Sequence, residues 1–188
     1  MKPHLLALIL AILGASATRA RADAFAFKDV EGFERCMQLD HLVETVHTDQ
    51  GAQTRLLSPF EIQLRCIDAA TKLLAPSKKP DEIIAYVKVT SRLSAPENAT
   101  GLGALAAAVA PAACNDIAIY SVVIAGLAHR DDPYVDRAKA LARQCLKDGE
   151  FRKDFSDELK NDDPHVRAHA CDVMLAAKLV KSCAGSRP

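Results

Sequence analysis

Six cysteines carry the clearest chemistry in this chain: Cys36, Cys66, Cys114, Cys145, Cys171 and Cys183. None belongs to a Cys-x-x-Cys pair, so the signatures of thiol exchange and of covalent haem attachment are missing. An even number of well-spaced cysteines reads instead as a disulfide framework, provided the chain matures where thiols oxidise. A cysteine nucleophile needs an unpaired thiolate beside a histidine. His169 and Cys171 stand two apart on an expected helix and so lie on different faces.

Two histidine groups have spacing that suits a metal ion. His165 and His169 are at i and i+4 on the last expected helix, where both imidazoles reach one ion, with Asp131 or Asp132 of a preceding unit as further ligands. His41-x-x-Glu44-x-x-His47 makes a polar stripe opposite Leu39, Leu42, Val43 and Val46, resembling one side of a carboxylate–histidine site. Solvated helix faces account for the same residues without metal. Metal handling is therefore the alternative reading, and no cofactor is expected. The chain also has no Gly-x-Ser-x-Gly elbow and no glycine-rich phosphate loop. No catalytic constellation emerges, so the expectation is a non-enzyme. Lys78-Lys79 and the acidic 154–158 segment read as solvated surface, and Asn98-Ala99-Thr100 fits the N-glycosylation pattern.

The compartment follows from the start of the chain. Lys2, an apolar run from Leu5 to Leu13, and small residues ending in Ala20-Arg21-Ala22 have the order of a secretory signal. The run is far short of the ~20 residues that span a bilayer. Cleavage is expected after Ala22, with Ala15-Ser16-Ala17 as a second cut. The mature chain is then residues 23–188, a single domain, periplasmic or extracellular and without a transmembrane segment. Losing Lys2, Arg19 and Arg21 from 24 basic residues leaves 21 against 24 acidic ones, so a neutral precursor becomes mildly acidic. That balance argues against binding nucleic-acid phosphates.

The elements that position these residues read as helices. Leu39, Leu42, Val43 and Val46 recur at helical spacing, giving a first helix from Asp29 to about His47. Ser58-Pro59-Phe60-Glu61 is a capping box, with proline at the first helical position. Ile62, Cys66, Ile67, Ala70, Leu73 and Leu74 form that helix's core face, and Pro76 marks its exit. Pro80-Asp81-Glu82 opens a third helix with Ile83, Ile84, Val87 and Leu93. Ala95-Pro96-Glu97 opens an alanine-rich helix stopped by Pro111, and Asn115 is expected to cap the apolar stretch Ile117–Ala128. That pair is taken as the centre of the core. No strand alternation competes, and the fold class is all-α with about eight helices.

The C-terminal third contains a repeat. Asp131-Asp132-Pro133-Tyr134-Val135 recurs 31 residues on as Asp162-Asp163-Pro164-His165-Val166, each with an N-cap aspartate, a first-turn proline and an inward valine. The second copy continues Arg167-Ala168-His169-Ala170. Its Asp-Pro-x-Val-Arg-x-x-Ala pattern resembles the second helix of a HEAT repeat. In the first copy Asp136 stands in the arginine's place and Arg137 comes one position late. Phe151, Phe155 and Leu159 would supply the other helix of the last unit. The resemblance covers about residues 131–180 and implies a right-handed α-solenoid whose inner surface binds partners. An irregular helical bundle is the competing architecture.

On that scaffold Cys36 and Cys66 face each other across an antiparallel helix pair, and Cys114 and Cys145 sit at coincident ends of two neighbours. Cys171 and Cys183 would be ~18 Å apart on one continuous helix, so their pairing requires the tail to fold back. Exchange between Cys145 and Cys183 is the competing arrangement. The function expected is a non-catalytic protein-binding or scaffold module whose partner is another exported protein. Tyr134, Arg137, Arg143 and Arg167 are its candidate anchors, because Arg and Tyr are enriched at interface hot spots.

Overall fold

The computed structural model describes residues 25–49, 51–130 and 132–183, without the side chains of His47, Thr48 and Asp132. The expected signal segment and Asp131 lie outside the described residues. Among them are eight α-helices, three short 3-10 helices and one antiparallel hairpin. The all-α class holds. No described helix is long and apolar enough to cross a membrane. The chain divides into two compact units, one ending at Ala69 and the other beginning at Ala70.

In the first unit, α1 (Val30–Met37) is capped by Asp29, whose carboxylate accepts from the Gly32 N–H at 2.7 Å. It buries Phe33, Cys36 and Met37 and then stops. Leu42–Thr48 (β1) and Gly51–Leu57 (β2) follow as a hairpin, with Leu42 opposite Leu57 and Thr48 opposite Gly51. This corrects the single helix expected from Asp29 to His47. Leu39, Leu42, Val43 and Val46 do fit a helical period. Val43, Thr45, Val46 and Thr48, however, are β-branched and favour a pleated surface. Gly51 adopts φ +109°, a turn position that glycine occupies without the Cβ penalty.

α2 (Pro59–Leu74) opens with the expected capping box. Ser58 Oγ accepts from the Glu61 N–H at 3.2 Å, and Glu61 Oε2 accepts from the Ser58 N–H at 2.9 Å. Its inner residues Ile62, Cys66, Ile67, Ala70 and Leu74 are buried, whereas Leu73, also expected inside, is 40% exposed. The Cys36–Cys66 disulfide ties α1 to α2. A hairpin, not a bare loop, connects the two bonded helices.

Among the described residues, the second unit contains helices and no strand. α3 (Pro80–Leu93) begins with Pro80 and the acids Asp81 and Glu82, where the helix dipole favours negative charge, and buries Ile83, Ile84 and Val87. The alanine-rich segment is two pieces: a 3-10 turn over Pro96–Ala99, then α4 (Thr100–Val109). A second 3-10 turn, Pro111–Asn115, leads to α5 (Ile117–Ala128). The cap of α5 is Asp116, which accepts from the Ala118 N–H at 2.9 Å; the Asn115 side chain instead donates to Glu150. α5 packs against α3, α4, α6 (Asp132–Cys145) and α8 (Pro164–Ala176). A Cβ added to Gly126 of α5 would lie 2.5 Å from the Ala138 Cβ, so glycine is what allows α6 so close.

α7 (Gly149–Phe155) is short and passes into a 3-10 turn over Ser156–Lys160. The single helix expected through Phe151, Phe155 and Leu159 is thus broken, though both phenylalanines are fully buried. α8 starts as its sequence predicts: Asp163 accepts from the His165 and Val166 N–H groups, Pro164 is first, and Val166 is buried. Cys114–Cys145 staples the turn before α5 to the end of α6. Cys171–Cys183 is also formed; α8 ends at Ala176, and Lys178 at φ +58° turns the chain so that Cys183 returns to the helix. Three disulfides are the chemistry of an oxidising compartment.

Candidate functional site

α6 brings Tyr134 and Arg137 onto one face, three residues apart. The Arg137 guanidinium carbon lies 4.8 Å from the Tyr134 ring centroid, and its Nε donates to the Pro133 carbonyl at 2.9 Å. The His129 ring stands 4.5 Å from that of Tyr134, and His129 Nε2 is 3.8 Å from Glu97 Oε1. Arg137 also lines a groove of about 180 Å³ with Thr100, Gly101 and Ala104 of α4 and Ala140 of α6. The groove exists because these side chains are small; a Cβ at Gly101 would meet nothing within 4 Å. At its end Gln144 donates to the Ala104 carbonyl at 3.2 Å.

The other two candidate anchors do not join this surface. Arg143 is exposed, but nine residues beyond Tyr134 at 100° per residue put it on the opposite side of α6. Arg167 Nη1 donates to the carbonyls of Asn161 and Asp162, holding the loop that enters α8. Its guanidinium is engaged in structure.

The metal candidates fall on α8 and around β1. The His165 and His169 ring centroids are 6.4 Å apart, and His169 Nδ1 donates to the Leu127 carbonyl at 2.7 Å, which leaves it only Nε2. Asp163 caps α8. His41, Glu44 and His47 do not form a helical stripe, because β1 replaces that helix; the His47 side chain lies outside the described residues. Glu44 accepts from Arg65 Nη1 and Nη2, both at 2.8 Å, and from Arg55 Nε at 3.2 Å. Arg65 foremost holds its carboxyl below the usual range. Among the described residues, no three His, Cys, Asp or Glu side chains converge on a point that suits a metal ion.

A second depression was not legible in the sequence. Asn115, Ile117 and Tyr120 meet Phe151, Asp154, Asp157 and Glu158 around a groove of about 350 Å³. The Tyr120 hydroxyl donates to Glu158 Oε1 at 2.6 Å and lies 3.3 Å from the Asp154 carbonyl oxygen. Its ring is 5.5 Å from Phe151, which stacks on Phe155 at 5.4 Å. Burial first, and then the surrounding carboxylates, push the Tyr120 hydroxyl well above its ordinary pKa. The parts come from segments more than 30 residues apart, so no local motif marks them. Compared with family models, curated proteins and solved structures, the chain matches none. Its class is thus defined by its own construction: an all-α protein stapled by three disulfides.

Proposed function

We propose that this chain is an exported, non-catalytic helical module that binds another exported protein through the α4–α6 face. The observation that carries this reading is the Tyr134–Arg137 pair beside the small-residue groove. A guanidinium laid on an aromatic ring is already ordered, so less side-chain entropy is lost when a partner docks. The adjoining slot is free to accept a partner's apolar side chain. The leader-like first 22 residues and the three disulfides support export. The Asp-Pro-x-Val-Arg-x-x-Ala opening of α8 supports a HEAT-like use of helix surfaces.

The test is capture of partners from the exported fraction by wild type, by Tyr134→Ala/Arg137→Ala, and by Arg143→Ala as a control. Loss of at least tenfold in the double variant alone is expected. Equal capture by all three would show that the surface is wrong. Export itself is read by N-terminal sequencing of protein recovered outside the cytoplasm, where Asp23 is expected first.

A further inference from the structure

The Tyr120 groove has two properties that solvated helix surface lacks. Its floor is apolar: Ile117, at the first position of α5, is 73% exposed and adjoins the Tyr120 and Phe151 rings. Its rim is negative and not neutralised. Asp154 and Asp157 have no side-chain hydrogen-bond or ion-pair partner among the described residues. Glu158 accepts only from the neutral groups of Tyr120 and Asn161. The basic neighbours Arg152 and Lys153 do not close on this rim: Arg152 Nε donates to the Leu146 carbonyl, and no ion pair joins Lys153 to it. The walls are held in place before any ligand arrives. Cys114–Cys145 fixes the turn leading into α5, Asn115 bonds Glu150 at 3.1 Å, and Tyr120 bridges to Glu158.

An apolar floor below free carboxylates complements one kind of group, a cation on an aliphatic stem. Lysine and arginine place methylenes on apolar surface while the charged head stays at the polar edge. Carboxylates around the head add charge-assisted hydrogen bonds. We propose that the groove of Ile117, Tyr120, Phe151, Asp154, Asp157 and Glu158 docks a lysine or arginine side chain from a basic polypeptide segment. This rests on the reading of the chain as a binding module but uses a different face from Tyr134 and Arg137.

The probe is hexalysine, titrated calorimetrically into the oxidised mature chain at low salt, with amide chemical shifts locating the contact. Asp154→Asn/Asp157→Asn is expected to weaken binding at least tenfold. Asp40→Asn/Asp136→Asn, which removes the same charge elsewhere, changes it less than twofold. A hexamer of 2,3-diaminopropionic acid carries the ammonium groups without the long stem and binds at least threefold more weakly. Ile117→Ser narrows that difference. The proposal is overturned if hexalysine does not bind, if shifts map away from α5 and the 154–158 segment, or if both double variants lose affinity equally. It is also overturned if the short-stem hexamer or free butylamine binds as tightly as hexalysine. Tyr134→Ala/Arg137→Ala leaves hexalysine affinity unchanged, so this groove and the α4–α6 face fail separately.

Discussion

At the residue scale, Glu61 shows how one cap couples the fold to pH. The Ser58 backbone N–H, the Arg55 guanidinium and the Ser58 hydroxyl all donate to its carboxylate and hold its pKa at about 2, against an ordinary 4.5. A carboxyl depressed in the folded chain stabilises it above the unfolded pKa. That contribution is complete above about pH 4.5 and is lost as pH falls from there through about 2. Glu61→Gln is therefore expected to flatten this acid limb, read as the pH dependence of the urea midpoint. Two glycines give opposite signs. Gly126→Ala gains helix propensity but overpacks the α5–α6 contact at 2.5 Å, a cost of about 1–3 kcal/mol, and should lower Tm. Gly101→Ala meets open space and should raise stability by about 0.5–1 kcal/mol. Chemical denaturation of both variants checks the pair.

At the element scale, three helix starts were legible, while the α5 cap fell one residue later than expected, at Asp116, and the alanine-rich helix began only at Thr100. The Ser58–Glu61 box, Pro80 and the Asp163-Pro164 start all act within one turn, so neighbouring residues suffice to specify them. The hairpin was not legible because its stabilisation is cross-strand. Val43 pairs with Leu56 and Glu44 with Arg55, residues 13 and 11 apart in the chain, while the local apolar spacing also fits a helix. Asp49 and Gly51 were the local turn residues. The Val43–Leu56 pair is 53% and 65% exposed, so the hairpin is held on its other face by buried Leu57 and the Glu44–Arg55–Arg65 cluster. Glu44→Gln should therefore weaken protection of the β1–β2 amides in hydrogen exchange while those of α5 stay unchanged.

At the scale of the molecule, three disulfides reinforce real cores. Phe33, Ile62 and Leu57 are buried in the first unit, and Ile119, Leu127, Leu141 and Phe155 in the second. Cross-links act mainly by restricting the unfolded chain, by about 2–4 kcal/mol each and more for longer loops. Cys114→Ala/Cys145→Ala, closing a separation of 31, should therefore cost more stability than Cys171→Ala/Cys183→Ala, closing 12. Paired urea titrations test the order. The two surfaces proposed for binding differ in the same way as their parts. Tyr134 and Arg137 are three apart on one helix and were visible in sequence, whereas the Tyr120 groove, whose hydroxyl bonds a carboxylate 38 residues away, was not.

The sequence by itself determined the helical class and the starts at Ser58, Pro80 and Asp163, because capping chemistry is local. It pointed to Cys36–Cys66 and Cys114–Cys145, whereas the fold-back that pairs Cys171 with Cys183 was decided by the structure. Tertiary structure decided three other points: residues 42–57 became a hairpin, Arg167 became a structural clasp, and Asp154, Asp157 and Glu158 met Ile117 and Tyr120. Each depends on groups distant in the chain or on backbone carbonyls. Residue spacing carries no record of such contacts.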